Sequence, residues 1–234
     1  MDDSELRSVL AERIAGVRAR IADACRRAER VPASVTLVAV TKTVSPNVAA
    51  VVAELGLRDL GESRPQELWK KAEAVPGANW HLIGHLQRNK IDRTIPRVEL
   101  VHSVDSDRVL ESLDAFGRKR GAPVPVLLEV NCSGEESKGG FAPDAVPAVG
   151  DKAVSFAGVY VRGLMTMAAY ADDPQTARPA FVALRELRDS LRARTGLALA
   201  ELSMGMSNDF EVAVEEGATF VRIGTTLFEG LENA

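Results

Sequence analysis

The chain has 234 residues, 46% of them hydrophobic and 26% charged, with a net charge of −4. This is an ordinary soluble globular balance, enough for one large domain or two small ones. Basic residues are dispersed, so no stripe marks a nucleic-acid footprint. Two cysteines, Cys25 and Cys132, are too few for a disulfide framework or a metal cluster and read as reduced thiols of a cytoplasmic protein. The N-terminus has no apolar signal core, and no stretch is long and apolar enough to span a membrane.

Residues 4–29 carry Leu6, Val9, Leu10, Ile14, Val17, Ile21 and Ala24 at three- and four-residue intervals, an amphipathic helix with Ser4 as its N-cap. Arg26, Arg27 and Arg30 near its end suit the helix dipole. Because it precedes every strand, this helix is expected to pack across the outside or bottom of the main fold.

Strands and helices then alternate. Strand 35–40 runs into Thr41-Lys42-Thr43, and a helix over 46–55 closes at Gly56. Strand 59–62 precedes a helix over 65–74, with Pro65 in its first turn. Strand 79–84 leads to a helix over 87–93, strand 100–104 to a helix over 106–119, and strand 124–130 to a weak helix over 143–153. Strand 160–165 is followed by a long helix over 174–194. Strand 199–203 meets a helix over 209–216, and a last strand covers 219–223.

Eight apolar strands alternating with helices, with no composition break and no long linker, predict a parallel sheet covered by helices: a single (β/α)8 TIM barrel with an extra N-terminal helix. The span 1–234 is read as one domain, with the helix over 1–30 and the barrel over 35–230. A doubly wound open sheet is the alternative, but no Gly-x-Gly-x-x-Gly follows the first strand.

Active sites of such barrels lie at the C-terminal ends of the strands. There the sequence places Lys42, Glu62-Ser63-Arg64, Gly84-His85, Asp105, Asn131, Met165-Thr166, the run from Ser203 to Ser207, and Arg222-Ile223-Gly224-Thr225. A lone lysine at a strand end most simply marks its exit to solvent; within a ring of polar groups and glycines it reads as a Schiff-base lysine. Ser203 to Ser207 opens into a helix and Gly224-Thr225-Thr226 follows the last strand. Those two positions, with Ser207 near an N-cap, read as a phosphate cradle. Asp209 and Glu211 in the first turn compete for the same dipole.

A lysine and a phosphate cradle together point to pyridoxal 5′-phosphate (PLP). Lys42 would hold its aldehyde and Arg222 would face the pyridine nitrogen. A permanently charged arginine leaves that nitrogen unprotonated, which weakens the ring as an electron sink and suits racemisation or storage better than transamination.

Several ordered motifs carry a resemblance. They are Ala39-Val40-Thr41-Lys42-Thr43, Gly61-Glu62, the run from Trp80 to Lys90, the run from Arg162 to Met167, the run from Leu202 to Ser207, and Val221-Arg222-Ile223-Gly224-Thr225. Over residues 35–230 the chain resembles the pyridoxal phosphate homeostasis (YggS/PROSC) family. The resemblance implies an alanine-racemase N-terminal-domain-like barrel without the racemase's second domain. It also implies a Schiff base at Lys42, phosphate contacts around Ser207, Gly224 and Thr225, and Arg222 at the ring nitrogen. Ser63 and Met204 complete the expected cofactor-binding set, although Met204, like Met165 and Met206, also reads as packing around the mouth. Ser63 departs from the family's usual asparagine and Glu229 from its usual glycine.

The expected function is PLP homeostasis: carrying the cofactor without robust catalysis and delivering it to PLP-dependent apo-enzymes, as a monomer. An amino-acid racemase is the alternative, with Tyr170 as the one tyrosine able to reach the site, because Tyr160 begins its strand at the opposite barrel end. A class I aldolase on a sugar phosphate is the third reading. His81 reads as a hydrogen-bonded structural residue, since three histidines without partners at ligand spacing make no metal site. Gln87, Asn89 and Lys90 read equally as a rim cluster or a solvated helix start, and Cys132 as an inert small residue.

Overall fold

The computed structural model describes residues 2–135 and 138–231; the first residue and the last three of the expected 1–234 span lie outside the described residues. Eight parallel strands form a closed barrel in sequence order: β1 (Thr36–Val40), β2 (Asp59–Glu62), β3 (Asn79–Leu82), β4 (Leu100–Val104), β5 (Val124–Glu129), β6 (Val159–Met165), β7 (Glu201–Ser203) and β8 (Phe220–Ile223). Closure is made by β8 against β1, with Thr36 opposite Phe220 and Ala39 opposite Ile223. The strands read as apolar runs because both faces are covered, by helices outside and by side chains inside.

Helices α2 (Pro46–Glu54), α3 (Pro65–Ala74), α5 (Asp107–Arg120), α6 (Val146–Ala153), α7 (Arg178–Thr195) and α8 (Phe210–Glu215) follow β1, β2, β4, β5, β6 and β7. After β3 the expected single helix is a composite, a 3-10 turn at Arg88–Lys90, the short α4 (Ile91–Thr94) and a second 3-10 turn at Ile95–Arg97. Pro96 lies in that last turn, where it cannot donate to an α-helical ladder. A last short helix, α9 (Thr225–Phe228), follows β8, where the sequence pattern predicts none. The strand expected over 199–203 begins at Glu201, because Leu199 has φ +39, outside the β region.

Helix α1 (Asp3–Arg27) buries Leu6, Leu10, Ile14, Val17, Ile21, Ala24 and Cys25 along one stripe. Its N-cap is Asp2, whose carboxylate accepts the Glu5 N–H at 2.8 Å, rather than Ser4, which lies inside the helix. It packs on the outer face of the barrel: Arg20 pairs with Glu211, Arg27 with Glu215, and Arg13 donates to the carbonyls of Leu227 and Glu229. Arg30, beyond the helix, donates to the Val214 and Ala218 carbonyls, fastening the entry to β1 against α8.

Inside the barrel, Val38, Leu100, Leu127, Met165 and Phe220 form a small apolar core of their own. Its polar neighbours are the buried His81, His102, Ser203 and Arg222. Outside, α5 comes so close to the backbone before β6 that a Cβ on Gly117 would lie 1.8 Å from the Gly158 carbonyl oxygen. By contrast, Gly16 is exposed in α1 with nothing near it. Gly117→Ala is therefore expected to destabilise the fold by about 2–3 kcal/mol through overpacking, and Gly16→Ala to stabilise it by about 0.5–1 kcal/mol through helix propensity. Urea unfolding of the two variants beside wild type measures both. Equal midpoints for all three proteins would contradict the packing of α5 described here.

Candidate functional site

A cavity of about 520 Å3 opens at the C-terminal mouth of the barrel, and six of the seven expected residues line it: Lys42, Ser63, Ser207, Arg222, Gly224 and Thr225. The seventh, Met204, does not. Side chains alternate along β7, and Ser203 faces the barrel interior, so Met204 turns outward and is fully buried among the helices. Gly205, with φ +92, reverses the chain there; a Cβ on it would meet Ala213 at 2.6 Å. Met206 then takes the place on the cavity wall expected of Met204.

Lys42 sits on the turn that leaves β1, where the Val44 N–H bonds back to the Thr41 carbonyl at 3.1 Å. Its side chain is exposed and its ammonium has no partner among the described residues. The turn itself is anchored from below by a network that the sequence reading missed. Lys71 of α3, buried to 3% exposure, reaches the Thr41 carbonyl at 2.6 Å and the Glu62 carboxylate at 2.5 Å. Glu62 also accepts from the Thr41 hydroxyl and the Ser63 N–H. A buried ion pair whose remaining lone pairs are also bonded is tolerated, whereas either partner alone would be strongly unfavourable.

Ser207 joins the loops after β7 and β8. Its hydroxyl accepts the N–H groups of Gly224 and Thr226, each at 3.3 Å. The N–H groups of Ser207, Asn208 and Thr225 have no partner among the described residues. Asp209 is not in the first helical turn, as expected, but precedes α8, and its carboxylate accepts the Met206 N–H at 2.6 Å. Burial pushes its pKa up, against that bond and the Arg222 charge.

Arg222 is 4% exposed and donates to the Ser203 hydroxyl at 2.5 Å and the Thr166 carbonyl at 2.9 Å. Further N–H groups remain without a partner on a residue that lines the cavity. Burial lowers its pKa to about 10, with Glu129 and Asp209 opposing the shift, so the guanidinium is still cationic at neutral pH. Glu129, at the end of β5, is buried, and no hydrogen bond reaches its carboxylate among the described residues. At the rim His85 Nδ1 lies 2.6 Å from Asp105 Oδ2. His81, as expected, is hydrogen-bonded and buried, between His102 and Asp59.

The two departures from the family pattern find places here. Ser63 lines the cavity with its short side chain. Glu229 has φ −52, ordinary for any residue, and the left-handed position falls on Gly230 at φ +77. A side chain at 229 therefore meets no backbone penalty. Among the described residues no three His, Cys, Asp or Glu side chains come together as a metal-ligand set, and no helix is long and apolar enough to cross a membrane. Tyr160 lies at the strand-start end, while Tyr170, 80% exposed, lines the cavity.

The sequence model of the family described as alanine racemase, N-terminal domain, matches residues 17–232, which sets the class of the barrel. The chain is 44% identical over 219 residues to a pyridoxal phosphate homeostasis protein of Aquifex aeolicus, covering 93% of this chain and 96% of that one. It is 42% identical over 223 residues to the protein of the same name from Pseudomonas aeruginosa, covering 94% and 95%. Among solved structures, PipY of Synechococcus elongatus with PLP bound superposes with a TM-score of 0.81 at 32% identity, covering 94% of this chain and 99% of that one. The chain belongs to the pyridoxal phosphate homeostasis protein family, and its fold is the alanine racemase N-terminal-domain barrel.

One pH response follows from the site. Burial first, then the Asp105 charge, raises Glu129 from 4.5 to about 7, against Arg222 and His85. Between those values the folded chain holds a proton that the unfolded chain has released. Stability therefore falls as pH rises through that window and stays reduced above it. Glu129→Gln removes the penalty, so the variant is expected to exceed wild type at pH 8 by roughly 1–3 kcal/mol and to match it at pH 4. Urea titrations at the two pH values check this; an equal difference at both would show that the carboxyl does not titrate as stated.

Proposed function

We propose that this chain binds PLP as a Schiff base on Lys42 and works as a cytoplasmic carrier in PLP homeostasis, without robust catalysis. The observation that carries the reading is one cavity that brings together a primary amine and three backbone N–H groups, all without a partner among the described residues, and a buried guanidinium. These fit the three polar features of the cofactor. Lys42 takes the aldehyde, the N–H groups of Ser207, Asn208 and Thr225 take the phosphate, and Arg222 takes the pyridine nitrogen. The relative PipY, solved with PLP bound, supports PLP as the ligand.

PLP supplies an aldehyde and an electron-accepting ring; the chain's residues hold and orient it. Arg222 keeps its proton and would donate a hydrogen bond to the ring nitrogen, which would leave that nitrogen unprotonated and the ring a weaker electron sink. The Lys71–Glu62 pair holds the Lys42 turn at its height above β1. The two thiols fit a cytoplasmic address, since burial raises both pKa values and leaves them poorly reactive. A monomer that releases PLP to apo-enzymes through the open mouth is the working form this reading implies.

Tyr170 on the cavity wall keeps amino-acid racemisation as the second reading, because a tyrosine opposite a lysine supplies the acid and base that two-faced proton transfer needs. The test starts with the absorbance spectrum of purified protein beside Lys42→Ala, before and after borohydride. A visible band in wild type alone, fixed by reduction as a pyridoxyl group on Lys42, is the expected outcome. No band after soaking in PLP sinks the reading and brings the aldolase forward, to be tested by borohydride trapping with a sugar phosphate. L-Alanine racemisation lost on Tyr170→Phe would replace the carrier by the enzyme.

A further inference from the structure

Below the cavity, a line of hydrogen bonds crosses the barrel from mouth to base. Arg222 donates to Ser203 Oγ at 2.5 Å, Ser203 Oγ lies 2.8 Å from His102 Nδ1, His102 Nε2 lies 2.9 Å from His81 Nδ1, and His81 Nε2 lies 3.1 Å from Asp59 Oδ1. Five residues from four strands and the start of β2 thus form one unbranched chain. His81, His102 and Ser203 are all buried to 1% exposure or less. The rings of His81 and His102 stand at 74° with centroids 5.0 Å apart, and both pack on Phe220.

We propose that Ser203, His102, His81 and Asp59 are positioning residues for Arg222, acting as a hydrogen-bond chain that runs in one direction only. The proposal deepens the reading in which Arg222 meets the pyridine nitrogen, and it rests on that reading for its functional meaning. The direction follows from the two ends. A guanidinium can only donate and a carboxylate can only accept. With Arg222 donating to it, Ser203 Oγ has its own hydrogen free for His102 Nδ1. His102 must then carry its proton on Nε2 and give it to His81 Nδ1. His81 in turn carries its proton on Nε2 and gives it to Asp59. Each neutral imidazole has one proton, and the chain uses each once. No other assignment with two neutral rings satisfies all four links.

The electrostatics agree. Burial first, and with it the cationic Arg222 and Arg162, hold His102 well below the ordinary imidazole range, so it is neutral. Asp59 lies below the ordinary carboxylate range: burial, the largest single influence, raises it, and the interactions with His81 and Asn79 together outweigh that.

The consequence is for Arg222. A serine hydroxyl can donate or accept, and a free Ser203 would be an ambiguous partner. Tied to His102, it is held as an acceptor. The Thr166 carbonyl is the second acceptor on the same guanidinium. Two fixed acceptors lock one part of the group and leave its other N–H groups aimed at the cavity. The carboxylate at the far end polarises every link in the same sense, which strengthens the chain beyond its separate bonds. His81 and His102 are thus neither metal ligands nor proton donors to a substrate.

The test begins in the PLP-free protein, so it does not depend on cofactor binding. Side-chain 15N–1H spectra at pH 7 should show His81 and His102 neutral, both with the proton on Nε2. Either ring protonated, or either with its proton on Nδ1, overturns the proposal. In the same protein the Arg222 Nη1–H resonance, assigned by its loss in Arg222→Lys, should exchange with water at least about tenfold faster in Ser203→Ala, the loss expected for one charge-assisted hydrogen bond. Unchanged exchange also overturns it.

With PLP added, Ser203→Ala should shift the 15N resonance of the ring nitrogen. Asp59→Asn should shift it in the same sense by less, and the double variant should match Ser203→Ala alone, because the chain is already cut. Additive shifts would mean two independent effects and no chain. If PLP does not bind wild type at all, the proposed function fails while the tautomer and exchange results still decide whether the chain exists.

Discussion

A full positive charge inside a closed barrel is the constraint on which this molecule is arranged. Arg222 points inward from β8 and is almost wholly removed from water. An isolated cation there would cost many kcal/mol, so the surrounding strands must supply acceptors. Ser203 on β7 and the carbonyl of Thr166 just past β6 do so directly, while Glu129 on β5 and Asp209 before α8 act through their charge. The interior of the barrel is consequently polar on the side towards β3, β4 and β7 and apolar elsewhere, where Val38, Leu127 and Met165 fill it. An arginine so enclosed also lines the cavity at the open end, where the proposed function has it meet the ligand.

The second buried charge, Lys71 with Glu62, does a different job. It lies outside the ring of inward-facing residues, between α3 and the ends of β1 and β2, and its acceptors are the carboxylate and the Thr41 backbone. Thr41 immediately precedes Lys42. The pair therefore fixes the height and direction of the turn that presents the amine, and the amine itself stays free. Two lysines divide the work: the buried one is spent on position, and the exposed one is left for chemistry. Neither could take the other's role, because burial of Lys42 without a carboxylate would be unfavourable and exposure of Lys71 would leave Glu62 unpaired.

The elements of the barrel were legible because each is locally consistent. Apolar runs, proline at helix starts and glycine at helix ends agreed, and Pro46, Pro65, Gly121 and Gly196 stand where those rules put them. The rim residues were legible for the same reason, since a strand end can be read from the strand. What was not legible depends on pairing across the fold. Ser203 and His102 are 101 residues apart in the chain, and Lys71 and Glu62 lie on different elements. No spacing announces either contact. Met204 does not line the cavity for a subtler reason: the two-residue alternation from Ser203 sends it outward and leaves Met206 on the wall.

The same geometry favours the proposed role of holding a cofactor over that of using it. Proton transfer in catalysis needs groups fixed on both sides of a reacting carbon. Here the groups that are fixed, Arg222 and the Lys42 turn, are anchored from within and below. The one candidate for an opposing acid or base, Tyr170, is 80% exposed, its hydroxyl bonded to no described residue. A side chain so free makes a poor acid or base and a poor lid. The cavity is therefore well ordered on the floor and loose at the roof; under the proposed assignment it would hold a planar ring at its phosphate and nitrogen and leave its exit to solvent unobstructed.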